Sequence, residues 1–300
     1  MDVSVIIVSY NTCTLTRKCL HSVFEVTKDI DFEVIVSDNG SIDGSIEMIK
    51  REFPQVILIE NNANLGFGMA NNEGLKIANG KYIFYLNSDT ILLNNAAKLF
   101  FDYWESSPEK DKIGALGANL INGDGCLAHS CGFFPNPFKE IILLWSRLVV
   151  TFIKWLFNIK RKKKSKSLPK KIIGNVDYIT GADLFLNNNH FAFFDERFFL
   201  YYEETYLQKQ LEKVGLNRIM IEGPQIVHLE GKCNLKKDDD SVSRYLSFPD
   251  IQNDLSRIKY QKYTGRIIVA FIMKVLLYMF WSIPCFREET MQYKQEIWSI

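Results

Sequence analysis

The 300-residue sequence has no Cys-x-x-Cys pair; its cysteines stand alone at positions 13, 19, 126, 131, 233 and 285. That spacing excludes a structural zinc site and a disulfide scaffold, and it fits a reducing compartment. Neither sign of charge dominates: 36 Lys and Arg against 35 Asp and Glu leave a net charge of +1. Such a balance carries no footprint for nucleic acid. No basic stretch opens the chain, which enters a strand pattern at Val3, so a secretory signal is not expected. The apolar segment Ile267 to Ile283 is interrupted by Lys274 and falls just short of the about 20 residues that span a bilayer. Internal repeats and low-complexity linkers are also absent. What remains is a chain of 47% hydrophobic content, enough for one large domain or a domain with an appendage.

The first 90 residues alternate two periodicities. Strands are expected at Val3 to Ser9, Phe32 to Ser37, Gln55 to Ile59 and Tyr82 to Asn87. Helices are expected between them, at Thr12 to Val26, Ser45 to Phe53 and Phe67 to Ala78. This order predicts an α/β fold with a mostly parallel sheet and helices on both faces. A helix over Asn94 to Trp104 follows, then a Gly/Asn-rich loop region through Asn136. Later, Val176 to Leu186 reads as strand, turn, strand, Glu203 to Val214 as a helix, and Asn217 to Ile221 as a strand. The near-continuous apolar run Tyr82 to Leu86 ends in Asn87-Ser88-Asp89. Open α/β sheets place ligands at the carboxyl ends of such strands. A carboxylate beside an amide there can hold a divalent metal that in turn holds a diphosphate.

Residues 138–171 break the alternation. Glu140, Arg147, Thr151, Lys154 and Asn158 form a narrow polar stripe at helical spacing, with Trp145, Phe152, Trp155 and Phe157 among the apolar remainder. A basic run, Lys160 to Lys166, follows. An apolar, Trp-bearing face followed by basic residues matches an interfacial membrane helix. The other reading is a helix packed on the domain with a solvated charge run after it. For Ile267 to Ile283, with Tyr278 and Trp281 near its end, monotopic contact or packing against the first helix is expected rather than a span.

Two further loops carry polar groups. Tyr10 can stack on a flat base, and Asp38 can accept a hydrogen bond from a pyrimidine imide. The loop Asp38 to Ser45 also reads as a plain turn and helix cap, since Asp, Asn, Gly and Ser favour both. In Asn64-Leu65-Gly66-Phe67-Gly68, glycines allow close backbone approach before a helix N-terminus. Asn71 and Asn72 are poor helix formers inside that helix, which suits a polar ligand role. His21, His129 and His190 have no partner pattern and read as surface or core residues. Asp238 to Asp240 reads as a solvated acidic loop.

Taken in order, Val5 to Asn11, Asp38 to Ser45, Asn64 to Phe67 with Ala70 to Asn72, and Leu86 to Thr90 resemble family 2 glycosyltransferases. Asp124-Gly125 with Ser130 and Pro135, Thr180-Gly181-Ala182, Phe194 to Glu204, and His228 resemble its rhamnosyltransferase-like branch. The resemblance covers roughly residues 3–232. It implies a GT-A fold and an inverting transfer from a nucleotide-diphosphate sugar. It places Tyr10, Asn11, Asp38, Asn39, Gly66, Asn71, Asn87 and Ser88 at the nucleotide sugar. Asp89 and His228 would bind Mg²⁺ or Mn²⁺, and Thr180, Gly181 and Ala182 would border the acceptor. The base maps onto Glu204, with Glu203 as the alternative. The branch usually reads Glu-Asp-x-Asp-Leu, whereas here Glu203-Glu204-Thr205-Tyr206-Leu207 stands. The base is one methylene longer, and Tyr206 replaces the second Asp.

The expected organisation is a nucleotide-sugar-binding half (1–137), an amphipathic helix with its basic run (138–171), an acceptor half (172–235) and a C-terminal helical region (236–300). The expected function is transfer of a hexose, such as the deoxyhexose rhamnose, from a dTDP-, UDP- or GDP-linked donor to a saccharide. A polyprenyl-linked acceptor is expected, in surface polysaccharide assembly such as O-antigen or capsule, on the inner face of the cell membrane. The alternative is a degenerate, non-catalytic sugar-nucleotide-binding or scaffold protein. A sugar-1-phosphate nucleotidyltransferase would need a Gly-rich basic loop after the first strand, and Tyr10-Asn11-Thr12-Cys13 lacks one.

Overall fold

The computed structural model describes residues 1–157, 169–189, 192–229, 247–286 and 290–300. The basic run at Lys160 to Lys166, His190 and Asp238 to Asp240 lie outside the described residues. The chain divides into two compact units. The first comprises Met1–Phe134, Ser167–Glu196 and Glu203–Leu235; the second comprises Pro135–Lys166, Arg197–Tyr202 and Lys236–Ile300.

The first unit opens with β1 (Val3–Ser9), α1 (Cys13–Val26), β2 (Phe32–Asp38), α2 (Ser45–Glu52), β3 (Ile57–Glu60), α3 (Phe67–Ile77) and β4 (Tyr82–Asn87). It continues through β5 (Thr90–Leu92), α4 (Ala96–Ser106), β6 (Ile113–Ala118) and β7 (Cys131–Gly132). After α5 (Pro137–Leu156), which belongs to the second unit, come β8 (Gly174–Val176), β9 (Tyr178–Ile179) and β10 (Asp183–Asn187). The first unit closes with α6 (Glu203–Lys213), β11 (Asn217–Ile221) and β12 (Ile226–His228). The central sheet runs β3-β2-β1-β4-β10-β6-β11-β8. Its first four strands are parallel, β10 is antiparallel to both neighbours, and β11 is again parallel to β6.

This mixed, mostly parallel sheet is buried on both faces, as its apolar strands require. Strand alternation sends Val5, Ile7, Val36, Phe84 and Leu86 into one core beside Leu20 of α1 and Phe100 of α4. Ile6, Ile35, Ile83 and Tyr85 enter the opposite core with Leu207 and Leu211 of α6. Phe185 of β10 lies with its ring centre 5.2 Å from Tyr82 and 5.4 Å from Phe100. Burying such a ring contributes about 1.5–3 kcal/mol by area alone.

One strand lies where the sequence reads as loop. Ile113-Gly114-Ala115-Leu116-Gly117-Ala118 forms the fully buried β6. Its glycines weaken the strand signal, but they are needed for packing. A methyl at Gly117 would meet Ile179 at 2.3 Å.

In the second unit, α5, α7 (Phe248–Tyr263), α8 (Ile267–Trp281) and α9 (Lys294–Ser299) follow in chain order. Leu144 and Leu148 of α5 share a core with Ile251, Leu255 and Ile258 of α7 and Met273, Leu277 and Phe280 of α8. The polar stripe of α5 faces this core. Glu140 and Thr151 are buried. Arg147 is 2.6 Å from Asp254, and Arg257 is 2.9 Å from Glu140. The Arg147 guanidinium lies 4.6 Å from the centre of the Phe280 ring. No helix among the described residues is long and apolar enough to cross a membrane.

Candidate functional site

Register places the polar strand ends at one sheet edge. Ser9 pairs with Asp38, and Val8 with Asn87. Tyr10 follows β1 and is 46% exposed, leaving ring surface for stacking. Asn11 adopts a left-handed φ of 52°, which Asn tolerates. Its Oδ1 accepts from the Ile42 amide at 2.9 Å, and its own amide donates to Ser41 Oγ at 2.8 Å. Asp38 is fully buried and accepts from the Ser41 amide and hydroxyl, both at 2.7 Å. Two of a carboxylate's roughly four acceptor sites are thereby used. The 38–45 loop is thus an Asx-type turn tied back to β1.

Asn39 serves the neighbouring loop. Its amide nitrogen donates to Gly66 O at 3.1 Å and Asn64 Oδ1 at 3.3 Å, while Asn61 donates to its oxygen at 3.0 Å. This network fixes the entry to α3, where Gly66 has φ 86°. Within α3 the two asparagines differ. Asn71 donates to Phe67 O at 3.0 Å. Asn72 donates to Phe194 O and accepts from Phe194 N, both at 2.9 Å. Asn72 therefore clamps a distant loop, which explains a poor helix former at that position.

Beyond β4, Ser88 Oγ lies 3.3 Å from Thr12 Oγ1. Thr90 of β5 pairs with His228 of β12, and the Leu229 amide donates to Asp89 O at 2.9 Å. That ribbon brings His228 Nε2 to 3.1 Å from Asp89 Oδ1 and 3.4 Å from Asn87 Nδ2. Residues 139 positions apart in sequence thus share one point. Asn87 Oδ1 is buried without a hydrogen-bond partner among the described residues. A carboxylate and an imidazole so placed form a donor pair that fits a divalent cation such as Mn²⁺, while the neighbouring amide presents its nitrogen to the imidazole. No group of three His, Cys, Asp or Glu gathers among the described residues. A cation here would therefore complete its shell from water or a diphosphate.

The third cluster joins β9, β10 and α6. Thr180 N donates to Ser130 O at 2.9 Å, and Asn87 N donates to Ala182 O at 3.1 Å. Thr180-Gly181-Ala182 is thereby bonded directly to the end of β4. A methyl at Gly181 would lie 3.1 Å from the Phe67 ring and 3.8 Å from Glu204 Cβ. A methyl at Gly68 would lie 3.5 Å from Glu203 Cβ. Glu203 therefore packs toward α3, and Glu204 lies beside Gly181. Glu204 keeps some exposed surface. Burial around its carboxyl nevertheless pushes the pKa up to about 7, against bonds from its own amide and from Thr205 that favour the charge.

Two supporting residues carry no motif. Gln208 is fully buried; its Oε1 accepts from Ile179 N at 2.8 Å, and its Nε2 donates to Ile179 O at 2.7 Å. One turn of α6 thus fixes both Glu204 and the strand before Thr180. Asp183 is fully buried, and its Oδ2 accepts from Ala118 N at 2.7 Å. Its Oδ1 has no partner among the described residues. Burial holds this carboxyl well above the usual range. The signal for both is a polar side chain on an otherwise apolar face. His129 and His21 face Tyr178 and Phe53 rather than this cluster.

Solved structures share this architecture. The mannosyltransferase PcManGT of Pyrobaculum calidifontis, in complex with GDP-Man and Mn²⁺, aligns over 98% of this chain and 75% of its own. Its TM-score is 0.54 at 15% identity. GalNAc-T7 with UDP, GalNAc and Mn²⁺ aligns over 99% of this chain and 54% of its own, with TM-score 0.59 at 15% identity. The fold is GT-A. The profile of Glycosyl transferase family 2 matches residues 4–183, and the chain belongs to that family. A poly(ribitol-phosphate) beta-glucosyltransferase of Bacillus spizizenii is 29% identical over 156 residues, 50% of this chain and 24% of that protein. A chondroitin synthase of Pasteurella multocida is 25% identical over 221 residues, 73% of this chain but 20% of its own length. An uncharacterized glycosyltransferase of Methanocaldococcus jannaschii is 29% identical over 65% of this chain and 68% of its own. The chain thus spans about a quarter or less of two of these relatives.

Proposed function

We propose that this chain is an inverting, metal-dependent glycosyltransferase that moves a sugar from a nucleotide-diphosphate donor to a saccharide hydroxyl. The observation that carries this reading is the placement of Glu204 beside Gly181, where burial pushes its carboxyl up to about 7. A base with that pKa is matched to deprotonating a hydroxyl near neutral pH. Glu204 takes the acceptor proton as that oxygen attacks the anomeric carbon, and the bond to the nucleotide diphosphate breaks on the opposite face. Asp89 and His228 would hold Mn²⁺ or Mg²⁺, which when bound neutralises charge on the leaving diphosphate, with Asn87 beside them on the nucleotide-sugar side. Tyr10, Asn11 and Asp38 hold the nucleoside, Asn39 fixes the loop beside it, Gly66, Asn71 and Ser88 line the donor side, and Thr180 to Ala182 border the acceptor. Glu203, packed against α3, supports that helix start rather than serving as base.

The resemblance to the rhamnosyltransferase-like branch supports a dTDP-linked deoxyhexose donor, with UDP- and GDP-sugars as the other candidates. Relatives named for a ribitol-phosphate polymer and for chondroitin support a polysaccharide product. The apolar helices support a lipid-linked acceptor and a peripheral position on the inner face of the membrane. The reading is tested by thermal shift and turnover with Mn²⁺ or Mg²⁺ against UDP-, GDP- and dTDP-sugars. Metal-dependent stabilisation by one nucleotide, with diphosphate release once acceptor is present, is expected. Glu204 and Tyr206, standing where the branch has Asp, favour a second reading as a degenerate binding protein. Metal-dependent binding without turnover, lipid-linked acceptors included, selects that one.

A further inference from the structure

We infer that the bare apolar faces of α5 and α8 form a docking surface for a bilayer with anionic headgroups. This deepens the membrane part of the proposed function and rests on it, but not on which sugar is moved.

α5 is built inside out for a helix on a water-soluble surface. Its charged stripe is turned inward, to Asp254 and Arg257. Its outer face presents Phe138 at 74% exposure, Ile142 at 64% and Leu156 at 57%. A surface helix normally does the reverse. α8 packs on α5 and repeats the pattern, with Ile267, Ile268 and Phe271 each more than half exposed. Contiguous exposed apolar surface marks an interaction site.

Electrostatics selects the occupant. The stretches that make up the second unit carry 20 of the 36 Lys and Arg but 9 of the 35 Asp and Glu. Their net charge is +11, against −10 for the first unit. A second copy of this unit would meet like charge, whereas an anionic leaflet attracts it. Exposed aromatics suit the headgroup level: Trp145, Trp155 and the Tyr278–Trp298 pair, whose ring centres are 5.8 Å apart. Length sets the depth. At 15 residues, α8 extends about 22 Å, against about 30 Å of hydrocarbon. α8 is thus too short to cross; α5, at 20 residues, is long enough, but its charged stripe is committed to Asp254 and Arg257 of α7, so both helices lie on the bilayer.

The test uses the full chain with phosphatidylcholine vesicles, with and without a third of phosphatidylglycerol. Sedimentation with the anionic vesicles is expected, weakened by salt. Brominated acyl chains should quench tryptophan fluorescence, and the triple variant Trp145→Phe, Trp155→Phe, Trp298→Phe should remove most of that quenching. Phe152→Ser with Phe271→Ser should weaken partitioning by at least roughly tenfold, with the melting temperature unchanged. Absence of sedimentation from the wild type would overturn the inference, as would quenching that the Trp variant leaves intact. A lipid-indifferent dimer dissolved by the Ser variant would assign the face to a second copy instead. Nucleotide binding is measured separately; its loss with vesicle binding intact would sink the transferase reading and leave this one standing.

Discussion

At the scale of single residues, Glu204 and Asp183 are both raised by desolvation but do different things. Glu204, raised to about 7, is neutral in much of the folded protein at pH 6 and charged at pH 8. If it is the base, kcat/KM should rise through pH 7 and level off above. Glu204→Gln should cost about 10²–10⁴-fold in turnover while calorimetry shows the donor still bound. A flat pH profile, or a Gln variant as fast as the wild type, contradicts the assignment. Asp183 is raised by burial alone, with one backbone bond opposing. The folded state therefore holds its proton more tightly than the unfolded chain. That stability is complete below the unfolded pKa and is lost as pH rises toward the folded one. Asp183→Asn should consequently gain stability over the wild type as pH rises from 5 to 9, measured by urea unfolding. The polar strand ends were legible from sequence because an apolar run that stops at Asn87 or Asp38 announces a sheet edge. The inward duties of Asn39 and Asn72 were not, since the acceptors at Gly66 and Phe194 are carbonyls, which every residue carries.

Elements show the same divide between local pattern and distant partner. α3 reaches the sheet because Gly74 has no side chain; a methyl there would meet Ile6 Cγ2 at 2.6 Å. Ala gains about 1 kcal/mol of helix propensity over Gly, but overpacking a β-branched neighbour costs about 1–3 kcal/mol. Gly74→Ala should therefore destabilise by about 1 kcal/mol net, seen in denaturant midpoints. In α5 the decisive contact is Arg147 with Asp254, whose side chain is 4% exposed. Burial pushes the Asp254 carboxyl up, and Arg147 opposes this. Arg147→Ala should cost about 2–3 kcal/mol at pH 8, because it strands a buried charge. Its cost should shrink as pH falls and Asp254 takes a proton. Adding Asp254→Ala should recover most of the loss. The 3.6-residue spacing of α5 was plain in the sequence, but whether its stripe met water or α7 depended on a helix 100 residues on. β6 was missed for a related reason: Gly114 and Gly117 imitate a loop until Leu216 and Ile179 are seen against them.

Across the whole molecule, near-neutrality conceals two oppositely charged units. Raising salt should therefore weaken the adsorption of this chain to anionic surfaces far more than a net charge of +1 suggests. The parallel half of the fold was readable because β1 through β4 follow one another with helices between. The antiparallel β10, placed between β4 and β6, joins strands remote in sequence and leaves no local sign. The helical unit is assembled from three separate stretches of chain, the first of them lying between β7 and β8. Ending the chain at residue 235 would remove α7, α8 and α9 but keep α5, with Glu140 and Arg147 stripped of their partners. Such a truncation should be recovered mainly as aggregate, whereas the intact chain should remain in detergent solution. Deleting 135–166 as well would be needed before the remaining sheet domain could be handled alone. Heredity faces the same arithmetic: a single crossover cannot transplant this helical unit, because its stretches are interleaved with those of the sheet domain.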